Sequence, residues 1–156
     1  MSAKDLQQQL IAVPQQRAGT DDYYTPPEVF TALGLRFDLD VAAPPGGVRW
    51  VPADRFFTVE DDGLAQAWEG RVWMNPPYSD PGPWVKRFID HSHGIAYLPF
   101  AKSAWFDRLW NGADAITAPG VHASRFVGGP IFMPVFAAAY GDECVEALNR
   151  LGVVRR

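Results

Sequence analysis

The sequence predicts an α/β fold with a compact, mainly parallel sheet flanked by helices. Short apolar segments typical of buried strands alternate along the chain with segments whose apolar residues repeat at the helical spacing. Proline and glycine separate these segments at short intervals, as in Pro44-Pro45-Gly46-Gly47. Because strands that alternate with helices are usually joined by crossover connections, the pattern indicates strands running in one direction.

The N-terminal region divides into a predicted arm and the start of a domain. Residues 1–20 contain glutamine-rich tracts and little apolar periodicity, which predicts a flexible arm. Thr25-Pro26-Pro27 predicts a helix start, with Thr25 as the cap, and Gly34 is the expected end. The total of 156 residues suits one domain, which we assign to residues 21–156.

The later elements follow from apolar periodicity. Strands are predicted at residues 37–42, 71–74, 94–100 and 115–118, helices at 84–91, 103–110 and 143–151, and a strand or hairpin at 131–140. Three tryptophans at apolar positions, Trp73, Trp84 and Trp105, are expected in the core. Cys144 is the single cysteine and is expected to be buried on the last helix.

Composition excludes several classes of protein. Hydrophobic residues make up 47% and charged residues 21% of the chain, a balance typical of soluble globular proteins. No apolar run approaches the roughly 20 residues that span a bilayer, and the first residues do not resemble a signal peptide. A cytoplasmic protein is therefore expected. His91 and His93 lack accompanying ligands at suitable spacing, so no metal is predicted.

Two polar residues lie at the ends of predicted strands: Asp40 near the end of the strand at 37–42, and Asn75 directly after the strand at 71–74. Open α/β sheets bind ligands beyond the carboxyl ends of their strands. In Asn75-Pro76-Pro77-Tyr78, the Asn75 side-chain oxygen and the Pro76 carbonyl can accept hydrogen bonds from a planar amine, and Pro77 helps to stiffen the loop. Tyr78 offers a ring on which a base can stack. The tetrapeptide therefore predicts methylation of an amino group.

The order of motifs around this tetrapeptide resembles the phage-type DNA N6-adenine methyltransferase family, which is Dam-like and uses S-adenosylmethionine. The matching residues are Tyr24-Thr25-Pro26, residues 38–43, Asp62-Gly63-Leu64, Trp68, residues 72–78, Trp84, Leu98-Pro99 and Trp105-Phe106. The resemblance implies a Rossmann-like methyltransferase fold and S-adenosylmethionine as the cofactor. It also implies DNA as the partner, with adenine flipped from the duplex and methylated at N6, in the host cytoplasm if a phage encodes the protein.

The resemblance also implies roles for individual residues. The cofactor positions are Tyr24, Thr25, Pro26, Asp40, Ala42 and Asp62, and the catalytic positions are Asn75, Pro76, Pro77 and Tyr78. Asp38 shares a strand face with Asp40 but lies further from the ligand-binding end, so Asp40 is preferred. Thr25 could instead only cap a helix and Asp62 only open a turn. The glycine-rich turn of many amino methyltransferases is absent, although the small Ala42 permits a similar approach.

The charge leaves other substrates open. The net charge of −4 argues against a strongly basic DNA-binding surface, although several cations lie around and after the tetrapeptide. A protein glutamine amide or an RNA base presents the same planar amine, so both remain alternative substrates. A catalytically silent nucleic-acid-binding module with this fold is a third possibility. The sequence predicts no oligomeric state.

Overall fold

The computed structural model describes residues 24–119 and 134–156, so the predicted N-terminal arm lies outside the described residues. The elements are α1 (Pro27–Leu33), β1 (Phe37–Asp40), β2 (Ala53–Phe56), β3 (Val72–Met74), α2 (Gly82–His91), β4 (Gly94–Pro99), α3 (Ala104–Gly112), β5 (Ala115–Thr117), β6 (Val135–Tyr140), α4 (Asp142–Leu148) and β7 (Val154–Arg155). A short 3-10 turn, Gly63–Ala65, lies between β2 and β3. The division into an arm and one domain stays a prediction.

The strands form one sheet in the order β2-β1-β3-β4-β6-β5-β7, and the α/β class is confirmed. The pairs β1·β2, β1·β3 and β3·β4 are parallel, whereas β4·β6, β5·β6 and β5·β7 are antiparallel. The prediction of a mainly parallel sheet is therefore wrong, because the sheet is mixed. Strand β6 is buried along its whole length, so its continuous apolar run reads like that of a parallel strand and conceals its reversed direction.

The strongly periodic elements agree with their predictions, whereas the ends and edges differ. Two strands, β2 and β7, were not predicted because they are short and largely exposed edge strands. Helix α4 ends at Leu148 rather than at residue 151. Helix α1 ends at Leu33, and Gly34, the predicted stop, is its C-cap in the left-handed conformation at φ 64°. Its N-cap is Pro26 rather than Thr25, so the capping role of Thr25 is wrong.

The core consists of two apolar clusters. One contains residues of α1 and α4, and the other contains residues of α2 and α3. Trp73 is fully buried as predicted, with its ring centroid 4.6 Å from that of Phe30, whereas Trp84 and Trp105 are only partly buried against the core. Cys144 is buried in α4, also as predicted, and desolvation raises the pKa of its thiol to about 12. The helices in the described part of the chain lack the length and apolar character needed to cross a membrane.

Candidate functional site

The main cavity has a volume of about 360 Å³ and lies where β1 and β3 end. It brings together six of the ten predicted site residues, and the other four lie outside it. Its lining residues are Tyr24, Thr25, Asp40, Ala42, Ala43, Pro44, Pro45, Val48, Val51, Val59, Trp73, Asn75 and Pro77. The predicted residues outside its lining are Pro26, Asp62, Pro76 and Tyr78. Strands β1 and β3 are adjacent and parallel, which explains why Asp40 and Asn75 reach the same cavity.

Asn75 is oriented by Thr25, which lies two residues before the start of α1. Its side-chain Nδ2 donates a hydrogen bond of 3.1 Å to Oγ1 of Thr25, which is only 3% exposed. The Thr25 carbonyl in turn accepts a hydrogen bond of 2.8 Å from Nε1 of Trp50. Because the amide nitrogen points to Thr25, the Oδ1 atom is the part of Asn75 that can accept a hydrogen bond from a ligand.

Asp40 supplies a buried carboxyl group to the cavity wall and is 5% exposed. Desolvation raises its pKa from 3.8 to about 7, although a hydrogen bond from the Ala42 amide, 3.3 Å from Oδ1, acts in the opposite direction. Burial disfavours the ionised form of Asp40. A cationic or hydrogen-bond-donating ligand in the cavity would offset this effect and favour the ionised form. Asp38 instead accepts a hydrogen bond of 2.7 Å from the Arg71 amide and does not line the cavity.

The rest of the tetrapeptide is anchored in the protein. Pro76 is buried, and Pro77 lines the cavity. The Tyr78 hydroxyl donates a hydrogen bond of 3.2 Å to the carbonyl of Tyr97 on β4. Desolvation of the same hydroxyl raises the pKa of Tyr78 well above 10.0. The Tyr78 ring is therefore fixed at one end by β4 and remains partly exposed.

A second cavity of about 140 Å³ adjoins the main one, and Asp62 lies on its wall together with Trp84. The two cavities share the residues Ala42, Ala43, Val59 and Pro77. Asp62 adopts the left-handed conformation at φ 56°, and its carbonyl accepts a hydrogen bond of 2.8 Å from the Ala65 amide, so it also opens a turn. Its side chain is exposed and makes no capping hydrogen bond.

Any residue larger than glycine at position 63 is expected to destabilise the fold. A Cβ atom at this position would lie 2.4 Å from the Val41 carbonyl oxygen, and the backbone would have to shift. We expect Gly63→Ala to lower the free energy of unfolding by about 1–3 kcal/mol, the usual cost of overpacking. Gly82→Ala is the matched control, because its Cβ would meet nothing closer than 3.9 Å. Urea denaturation of both variants measures the difference, and equal stability would contradict this reading.

The loop after β1 contributes residues that the sequence did not identify. Pro44, Pro45, Val48 and Val51 line the main cavity, and Trp50 orients Thr25. The same loop borders a further cavity of about 170 Å³ that also includes Asp40. A run of Pro44-Pro45 directly after the acidic strand is the signal that could have placed this loop at the ligand-binding edge.

A separate polar cluster lies at the amino ends of β3 and β4, away from the main cavity. His93 Nε2 contacts Glu143 Oε1, and Arg71 Nη1 lies 3.6 Å from the same oxygen. The hydrogen bond from His93 lowers the pKa of Glu143. The potential ligand atoms of His93, Glu143 and Cys144 lie within 4.8 Å of one another. The Arg71 cation opposes binding of a metal ion at this position.

The fold and the cavity together define an α/β protein with an oriented asparagine and a buried carboxyl group at the carboxyl edge of its sheet. A family model described as DNA N-6-adenine-methyltransferase (Dam) matches residues 14–126, a range that includes every predicted site residue. The chain belongs to the DNA N-6-adenine-methyltransferase (Dam) family. The resemblance found in the sequence is therefore confirmed.

Two phage proteins are among its relatives, and each bears the name DNA N-6-adenine-methyltransferase. The protein of Haemophilus phage HP1 (strain HP1c1) is 37% identical over 91 residues, which cover 54% of this chain and 51% of the relative. The protein of Escherichia phage T1 is 34% identical over 106 residues, which cover 62% of this chain and 43% of the relative. The matched region thus spans about half of the length of these relatives or less.

Proposed function

We propose that this protein transfers a methyl group from S-adenosylmethionine to N6 of adenine in DNA. The observation that carries the proposal is the placement of Asn75, held by Thr25, in the same cavity as the buried Asp40. Membership of the Dam family supports adenine in DNA as the substrate. The names of the two phage relatives support the same activity.

The strand order supports a Rossmann-like methyltransferase fold. The chain passes from β1 outward to β2 on one side and then returns to β3 on the other side of β1. Connections from β1 and β3 therefore leave in opposite directions along the sheet, which creates a crevice at their carboxyl ends. The main cavity includes residues from the ends of both strands. This is where a doubly wound fold binds its cofactor.

The residues around the cavities fit S-adenosylmethionine. A volume of about 360 Å³ lies within the usual range for small-molecule sites, and the walls are mainly apolar. We assign Tyr24, Thr25, Asp40 and Ala42 to cofactor binding in the main cavity, with Pro26 supporting Thr25. The Asp40 carboxylate suits a cationic ligand. The bound cofactor would supply an electrophilic methyl group on a sulfonium.

The adjoining cavity offers room for the other end of an elongated cofactor. It combines one carboxylate, Asp62, with the Trp84 ring and apolar walls, a set suited to a nucleobase with an amino group. Because both cavities share Ala42 and Ala43, one molecule could occupy both. We therefore retain Asp62 as a cofactor residue, although it lies outside the main cavity.

The catalytic contribution of the chain is to hold and polarise the target amine. Asn75 Oδ1 and the Pro76 carbonyl each accept a hydrogen bond from the adenine amino group, which concentrates electron density on its nitrogen. Pro76 and Pro77 restrict the loop before the substrate arrives. The adenine leaves the duplex to reach this position, and the partly exposed ring of Tyr78 stacks on it.

Label transfer tests the proposed function. The purified protein is incubated with methyl-labelled S-adenosylmethionine and, separately, with unmethylated DNA, RNA and a protein extract. We expect label in N6-methyladenine of DNA. Label confined to RNA or to protein glutamine would replace the proposal by one of its alternatives, and binding of the cofactor without any transfer would indicate a silent module. Sequencing DNA from an expression host that lacks adenine methylation then identifies the recognition site.

A further inference from the structure

The main cavity lies on the β1 side of β3, the strand that Asn75 directly follows. Strand β3 lies between β1 and β4 in the sheet. The cavity lining includes residues at and after the end of β1, residues near the start of α1 and the end of β3, but none at the end of β4. If the cofactor fills this cavity, the target base must approach Asn75 from another direction. The carboxyl end of β4 borders β3 on the side away from the cavity.

Phe100 directly follows β4 at this end of the strand and is 42% exposed. Its ring centroid lies 6.0 Å from that of Phe106, 5.8 Å from that of Trp110 and 5.5 Å from that of Phe136. Three ring contacts from α3 and β6 fix the buried part of Phe100. The exposed part is therefore presented to solvent without freedom to fold inward.

The position of Phe100 relative to Asn75 follows from the strand register. Met74, the last residue of β3, pairs with Ala96; Asn75 follows Met74, and Tyr97 follows Ala96. Phe100 is three residues further along, about 10 Å at the usual rise of a strand. It therefore lies beyond the level of the amine-binding residues. The hydroxyl of Tyr78, bonded to the Tyr97 carbonyl, also ties the tetrapeptide to this end of β4.

A cation accompanies the exposed ring. Lys102 is exposed and lies two residues after Phe100, immediately before Ser103, which caps α3 by accepting a hydrogen bond from the Phe106 amide. Proteins that bind single-stranded nucleic acid combine aromatic rings, on which bases stack, with cations that contact the phosphates. Phe100 and Lys102 supply both beyond the carboxyl end of β4, on the face of the sheet that packs against α3, whereas Asn75 bonds to Thr25 on the side of α1.

We propose that Phe100 and Lys102 form a DNA-contacting platform, on which the ring stacks against an unpaired base while the lysine contacts a phosphate. The base is one next to the target or one left unpaired when the adenine leaves the duplex. This inference rests on the proposed function and adds the surface that receives the DNA. Stacking contributes to affinity without depending on the net charge, which is −4 for this chain.

Binding of a fluorescent single-stranded oligonucleotide of mixed sequence tests the platform without requiring catalysis. We expect Phe100→Leu to weaken this binding by about five- to hundredfold, the range given by loss of one stacked base. Phe100→Trp is expected to preserve it. Phe56→Leu is a control for oligonucleotide binding only, because Phe56 is 45% exposed and lies at the end of β2, beyond β1, but also lines the cavity that includes Asp40. Affinity for S-adenosylmethionine is measured on every variant.

The outcomes separate this inference from the proposed function. Unchanged oligonucleotide binding by Phe100→Leu, in a protein that methylates DNA, would overturn the platform and leave the function intact. Loss of cofactor and oligonucleotide affinity together would also overturn it, because a purely structural role of Phe100 explains that result. Failure of the unmodified protein to methylate DNA would overturn the proposed function itself.

Salt dependence tests Lys102 separately. We expect Lys102→Gln to reduce the slope of log affinity against log salt concentration by about 0.7, the value for one phosphate contact on a single strand. Lys86→Gln is the control, because Lys86 is also exposed but lies on α2 and pairs with Asp90 at 3.2 Å. An unchanged slope for Lys102→Gln, or equal changes in both variants, would contradict the assignment of Lys102.

Discussion

Replacing Asn75 with alanine is expected to reduce the rate of methyl transfer by about 10²–10³-fold, the cost of removing one group that stabilises developing charge. The variant loses the Oδ1 acceptor and keeps the carbonyl of Pro76. It also loses the hydrogen bond to Thr25, but Thr25 remains tied to Trp50 through its carbonyl. Affinity for S-adenosylmethionine should therefore change little. Initial rates with saturating cofactor, together with calorimetric titration of the cofactor, measure both quantities.

Variants of Thr25 test whether the hydrogen bond from Asn75 to Thr25 orients the Asn75 amide for polarisation of the target amine. Thr25→Val removes the hydroxyl that accepts from Asn75 Nδ2 at 3.1 Å, and Thr25→Ser keeps it. We expect the valine variant to lose part of the rate and the serine variant to recover most of it. If Asn75→Ala retained its rate and lost cofactor binding, Asn75 would be a cofactor residue. Equal rates for Thr25→Val and Thr25→Ser would show that this hydrogen bond does not orient the amide.

The sequence predicted the elements whose signal is local. Helices α2 and α3 repeat apolar residues at the helical spacing, and β4 is a continuous apolar run. The prediction of these three elements therefore requires no knowledge of the rest of the chain. The direction of β6 is different, because it depends on which strands it pairs with. Burial on both faces gives β6 the same pattern in either direction. Strand β2 is exposed along most of its length and gives almost no apolar signal.

The same distinction applies to the site. Asp40 and Asn75 could be identified because Asp40 ends one strand and Asn75 follows another, and the carboxyl ends of adjacent parallel strands lie together. The hydrogen bond between Thr25 and Asn75 could not be predicted, because the two residues are 50 positions apart in the sequence. A threonine before two prolines also has the pattern of a helix cap. Phe100 is also indistinguishable from a core residue in the sequence, since exposure of an aromatic ring depends on its neighbours in the fold.

Asp40→Asn is expected to stabilise the protein at pH 8 by as much as about 4 kcal/mol, given a pKa of about 7 in the fold against an ordinary value of 3.8. Below pH 3.8 the carboxyl group is protonated in both the folded and unfolded protein and costs nothing. As the pH rises, the unfolded chain ionises first, so this group progressively destabilises the fold until about pH 7. The advantage of the asparagine variant should therefore be nearly absent at pH 4 and complete at pH 8, as measured by urea denaturation.

The same carboxyl group should make cofactor binding depend on pH in the opposite sense. A cationic ligand favours the ionised form, so the affinity of the unmodified protein for S-adenosylmethionine should rise as the pH increases towards 7, by up to about tenfold per pH unit. Asp40→Asn should bind weakly and lack the component of pH dependence due to this group. Tight binding by Asp40→Asn, or equal pH dependence in both proteins, would remove Asp40 from the cofactor site. The agreement of both trends would show that burial of Asp40 costs stability in the free protein and that ligand binding offsets this cost.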